Sequence, residues 1–147
     1  MSVTPERERG SVLVEFALVV PILLVIFAGI VDFALMMQRR EVVTNAAREG
    51  ARMASLPGYG HADVQARVFA YLNDGIGAGA YLNATVPALT AVTITPGVGP
   101  PIQAVRVDVE LRSRYSILGP MMALIGGSNF GTITLRARST MRLEVQP

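Results

Sequence analysis

Arg9-Gly10-Ser11-Val12-Leu13-Val14-Glu15-Phe16, followed by ALVVPILLVIFAGIV over residues 17–31, is the stretch on which the fold turns. Phe16 to Val31 is a run of sixteen residues without a charge, and Ser11 to Met37 holds only Glu15 and Asp32 as charges. At ~1.5 Å rise per residue, the longer segment makes roughly 40 Å of helix, enough to cross a ~30 Å hydrocarbon core. A cleaved signal peptide has a shorter apolar region, of ~7–15 residues, and ends at small residues. Here the run ends at Asp32, Gln38, Arg39 and Arg40, so it reads as a membrane anchor. Asp32, seventeen residues after Glu15 and near the far end of the span, is expected to be solvated at the outer interface rather than held in a specific interhelical pair. Pro21 removes one backbone hydrogen bond within the helix and is expected to kink or loosen it.

Beyond the anchor the helical pattern continues. In EVVTNAAREGARMASL, residues 41–56, the pairs Val42/Val43, Ala46/Ala47 and Gly50/Ala51, with Ala54, recur at helical spacing. Ala46, Gly50 and Ala54 form a ridge of small residues that permits close approach of another helix. Docking on the protein's own domain is the other reading, and the sequence leaves both open. Pro57-Gly58 ends the helix. His61–Asn73 is expected to be a second helix, with Val64, Val68, Tyr71 and Leu72 on one face.

Strands follow. Ala91–Thr95 is a short one. Ala104–Tyr115 alternates Val105, Val107, Val109 and Leu111 with Arg106, Asp108, Glu110 and Arg112, the period of a half-buried antiparallel strand. Thr132–Val145 repeats it, with Ile133, Leu135, Ala137, Met141 and Leu143 facing inward. An apolar connection, residues 116–131, joins the two. The expected fold is α+β: a long N-terminal transmembrane helix running into a small domain with a short helix and an antiparallel sheet of about three strands.

Composition narrows the function. The absence of cysteine excludes disulfides, thiolate zinc sites and thiol nucleophiles. A net charge of +2 is too small to imply nucleic acid. All thirteen basic residues are arginine, from which no mechanism follows. With a single histidine, His61, nucleophile–base pairs are scarce, so no catalytic residue, cofactor or metal is expected. Beside Asp63 at a helix start, His61 reads as a capping or surface residue. Gly75-Ile76-Gly77-Ala78-Gly79-Ala80 mimics a dinucleotide fingerprint, but it follows a helix and lacks the acid further on; it reads as a loop. Asp108 and Glu110 share a strand face, but Arg106 and Arg112 flank them, so a salt-bridged surface is preferred to a catalytic pair.

The segment after the charged leader resembles the prepilin peptidase site of type IV pilins. A glycine, Gly10, closes the leader, an acid, Glu15, stands five residues later, and an aromatic, Phe16, opens the apolar run. More narrowly, Gly10, Glu15–Val19, Pro21, Gly29–Phe33 and Asn45–Arg52 resemble the TadE family of pilin-like minor subunits in Tad (Flp) pilus systems. The resemblance implies cleavage between Gly10 and Ser11. Residues 1–10 would then be a leader, 11–56 the transmembrane and extended helix, and 57–147 a small extracytoplasmic domain. It implies that Glu15 neutralises the freed Ser11 amine of a neighbouring subunit. The implied partners are the prepilin peptidase, other pilin-like subunits, the Tad assembly platform and membrane lipid, at the bacterial inner membrane. Charge bias alone argues for the reverse orientation, because Arg39, Arg40, Arg48 and Arg52 outnumber Arg7 and Arg9; the processing signature is preferred.

Arg106, Arg112, Arg114, Arg136, Arg138 and Arg142 all lie at even positions, so pairing of the strands gathers them on one outer face with three acids. That face can meet a partner subunit, an anionic glycan or DNA, or be plain solvated surface. The expected function is a minor pilin or pseudopilin acting in pilus assembly. The alternatives are an unprocessed single-pass scaffold of the same machinery, or a surface adhesion and ligand-binding module. An anchored hydrolase ranks last.

Overall fold

A computed structural model describes residues 5–124 and 131–144. The first helix, α1, is continuous from Pro5 to Ala54, fifty residues, with Pro21 inside it. After it come α2 (His61–Ile76), a short 3-10 turn at Ala80–Asn83, β1 (Ala84–Thr85), β2 (Thr90–Ile94), β3 (Ile102–Arg114), α3 (Leu118–Leu124) and β4 (Thr132–Arg142). The fold is α+β. The sheet has four strands rather than about three, since the two-residue β1 pairs with β3 as well.

By contacts the chain forms two units. One contains α1 as far as Leu35 together with Tyr115–Gly131; the other contains Met36–Arg114 and the chain from Thr132 onward.

In the larger unit the sheet is antiparallel throughout and β3 is its axis. On one edge β3 takes β1 and β2 end to end; on the other it takes β4 along its length, from Ala104 opposite Arg142 to Arg114 opposite Thr132. The period of two works as expected. Val105, Val107, Val109 and Leu111 are buried, and Arg112 and Arg114 are exposed. On β4, Leu135 is buried but Ile133 stays 37% exposed, because it lies near the end of the sheet opposite the polar Ser113.

The core sits between this inner face and two helices. Val43, Ala46, Ala47 and Ala51 of α1, Val64, Val68 and Leu72 of α2, and the β3 valines form one cluster. Burying each valine contributes ~1.5–3 kcal/mol. The apolar stripe of α2 makes this possible, and its start is fixed by Asp63, whose carboxylate accepts the Gly60 N–H at 2.9 Å. His61 Nε2 lies 3.2 and 3.1 Å from the carbonyl oxygens of Val86 and Pro87, tying the same helix start to the segment before β2. At the other end Gly77 (φ 131°) and Gly79 (φ 86°) take conformations that side chains resist. The glycine-rich stretch is therefore a helix stop.

Candidate functional site

The residues implied in processing and registration lie on the first part of α1. Gly10 and Ser11 are exposed and helical, and a side chain built at Gly10 would meet nothing within 4 Å. Ser11 and Glu15 are four residues apart, hence one turn apart on the same helix face. Glu15 is exposed, and Phe16 beside it is 66% exposed.

Around these residues the helix is apolar on every side. Ile22, Leu23, Leu24, Val25, Ile26 and Phe27 are consecutive, so they point around the full circumference, yet each is at least 49% exposed. A core helix of a soluble domain covers one face; here the most apolar window is only 6% buried. A helix apolar all round and bare requires a non-aqueous surrounding. Among the described residues this is the one helix long and apolar enough to cross a membrane.

The ridge Ala46, Gly50 and Ala54 faces inward. All three are buried, and a Cβ on Gly50 would come within 2.7 Å of Val68 Cγ2 and 3.3 Å of Val107 Cγ1. The close approach that small residues permit is thus used by α2 and β3 of the same chain. Gly75 does the same from the other side, where a Cβ would meet Val42 Cγ1 at 2.6 Å.

The six arginines do share the outer face of the sheet, but not equally. Arg138 faces Asp108 and Arg136 faces Glu110 directly across the strand pair, at 2.6 and 3.0 Å. These are exposed cross-strand ion pairs, worth ~0–1 kcal/mol each. Arg112 and Arg114 lie opposite threonines, as does Arg106, whose Nε is buried without a hydrogen-bond partner. Arg142 lies opposite Ala104. Among the described residues no three His, Asp or Glu side chains converge on a point that could hold a metal.

Two arginines counted in the charge bias are committed to the fold. Arg39 Nη1 donates to Ser113 Oγ at 2.6 Å and to the Arg114 carbonyl at 2.9 Å. Arg52 donates to both oxygens of Glu49, and Arg67 of α2 donates to the same carboxylate. Those hydrogen bonds hold the Glu49 carboxyl at about 2, well below the usual carboxylate range.

Asp32 is the residue that sequence reading misplaced. Its position near the far end of the apolar run suggested interfacial solvation. Instead it is 2% exposed and its carboxylate accepts the backbone N–H groups of Ser116 (2.8 Å), Ile117 (3.1 Å) and Leu118 (2.7 Å). The available signal was the lack of any charge from Tyr115 to Leu135.

A bare, apolar N-terminal helix joined to a small α+β domain is consistent with the class of single-pass membrane proteins. Residues 10–52 match the sequence model of a family described as TadE-like protein. The matched segment contains Gly10, Ser11, Glu15, Phe16, Pro21 and Asp32. No curated protein and no solved structure matches the chain.

Proposed function

We propose that this protein is a minor pilin, or pseudopilin, of a Tad pilus or its secretion apparatus, and that it acts by assembly rather than catalysis. The observation that supports this reading most is the order Gly10, Ser11, Glu15, Phe16 at the head of a helix that is apolar and uncovered all round. In this reading the prepilin peptidase cuts after Gly10 at the cytoplasmic face of the inner membrane. The domain beyond Met37 lies outside it. The α1 helix is stored in lipid until it joins a bundle of similar helices supplied by other pilin-like subunits and the assembly platform.

Cleavage leaves an ammonium at Ser11 one turn from the Glu15 carboxylate, both where the helix meets hydrocarbon. A carboxylate costs roughly 2.5–3.5 kcal/mol at the bilayer centre and less near its edge. Pairing between chains relieves that cost and sets the register of the helices. Glu15→Ala tests the reading. Removing the acid makes the anchor more apolar, so insertion and protein level are retained, and Gly10 still directs cleavage. Pilus number and crosslinks to other pilin-like subunits are expected to be lost. Normal piliation at normal protein level would leave only the unprocessed scaffold.

A further inference from the structure

The link between β3 and β4 is chemically unlike the strands it joins. From Tyr115 to Gly131 it contains no charged residue, in a chain that is 16% charged. Its described part packs with the first part of α1 rather than with the sheet. Leu118 Cδ1 lies 4.0 Å from where a Cβ on Gly29 would stand, and Ala28 and Asp32, on the same helix face, are almost fully buried. Of its exposed residues Ser116, Ile117, Pro120 and Ala123, all but Ser116 are apolar.

Position along α1 gives the depth. Asp32 comes seventeen residues after Glu15 and seven before Arg39. With Glu15 at one boundary, Asp32 is ~26 Å along the helix, inside a ~30 Å core, and ~10 Å short of the Arg39–Arg40 pair. The level at which α1 receives this segment is therefore within the apolar layer.

At that level the backbone must be satisfied without water. The N–H groups at the start of a helix have no partner within it. Here the amides of Ser116, Ile117 and Leu118, leading into α3, all donate to Asp32. The pairing answers two difficulties at once: amides that lack water find an acceptor, and a carboxylate inside an apolar run finds donors. In a water-exposed loop neither device is required. We propose that α3 and residues 115–118 are a second membrane-embedded element. They would lie among the acyl chains of the leaflet on the C-terminal side of the anchor, with Asp32 as their backbone acceptor. The proposal rests on the reading of α1 as a membrane span.

The chain has no cysteine, so single cysteines can be placed and spin-labelled in the full-length protein without altering a native one. Labels at Ala123→Cys, Ile26→Cys and Ala66→Cys are compared in vesicles of phosphatidylcholine and phosphatidylglycerol. All three positions are exposed; Ile26 reports the span and Ala66 the domain surface. The label at 123 is expected to behave as that at 26, colliding with oxygen and losing collisions with a water-soluble nickel chelate. If 26 lies in lipid while 123 follows 66, the embedded element is refuted and the anchor stands. Shielding of 123 from both agents means cover by protein and refutes it equally. If 26 itself meets the chelate, anchor and proposal fall together.

Discussion

Glu49 shows how one side chain can join two helices without being buried deep in the core. It sits on α1 and receives Arg52 from its own helix and Arg67 from α2, at 2.9 and 3.0 Å. Its carboxyl is lowered from 4.5 to about 2 by these hydrogen bonds, chiefly that from Arg52. A depressed carboxyl stabilises the fold above its unfolded pKa, and that contribution is lost as pH falls through the folded value. Both arginines are more than half exposed, so the effect is screened and amounts to roughly 1 kcal/mol. Glu49→Gln should lower the melting temperature of the detergent-solubilised chain at neutral pH. The gap between variant and parent should close as pH drops from 4.5 toward 2. A gap independent of pH in that window would mean that shape, not charge, holds this contact.

At the scale of elements, β3 carries the fold. It is the strand to which all the others pair, and its odd-numbered residues from Val105 to Leu111 face the helices. Asp at Val109 puts a charge where a fully buried valine was, a change costing several kcal/mol unless the group stays neutral. Val109→Asp should therefore make the domain protease-sensitive. Arg112→Gln, one outward position further along, should leave it resistant, since exposed substitutions typically stay within ~0.5 kcal/mol. Equal resistance of the two variants would contradict the assigned faces. The helix ridge belongs to the same scale. With Ala46, Gly50 and Ala54 buried within the chain's own core, the proposed assembly would have to use the bare stretch of α1 before Asp32 for contacts between subunits.

For the whole molecule, the proposed function turns on whether the chain is cut between Gly10 and Ser11. Intact mass of membrane-extracted protein should show a chain beginning at Ser11 when the peptidase is present and the full 147 residues when it is not. A bulky residue at Gly10 should block the change. An uncut N-terminus in the presence of the peptidase would favour the scaffold reading. Orientation also bears on this scale. The arginines that follow the span argued from charge bias for the reverse topology. Arg39 and Arg52 are engaged with Ser113, the Arg114 carbonyl and Glu49. Part of that bias is thus a consequence of how the domain docks on α1, which weakens it as a topological signal.

Much of this was legible in the chain alone, because it depends on local periodicity. A run of twenty-seven residues with only Glu15 and Asp32 as charges reads as an anchor before any fold is known. Alternation of valine with arginine and acid declares which face of β3 is buried. The spacing of Gly10, Glu15 and Phe16 is likewise a property of adjacent residues. Three features depend on residues far apart, and these only the tertiary structure decided. The small-residue ridge could serve another chain or its own, and the choice fell to Val68 and Val107. The six arginines looked alike until the register of β3 and β4 set Arg136 and Arg138 against acids. Asp32 looked like an interfacial charge until the chain returned, more than eighty residues later, with three amides that needed an acceptor. Period and length are written in neighbouring residues; a partner's identity is not, because it is chosen by where the chain comes back.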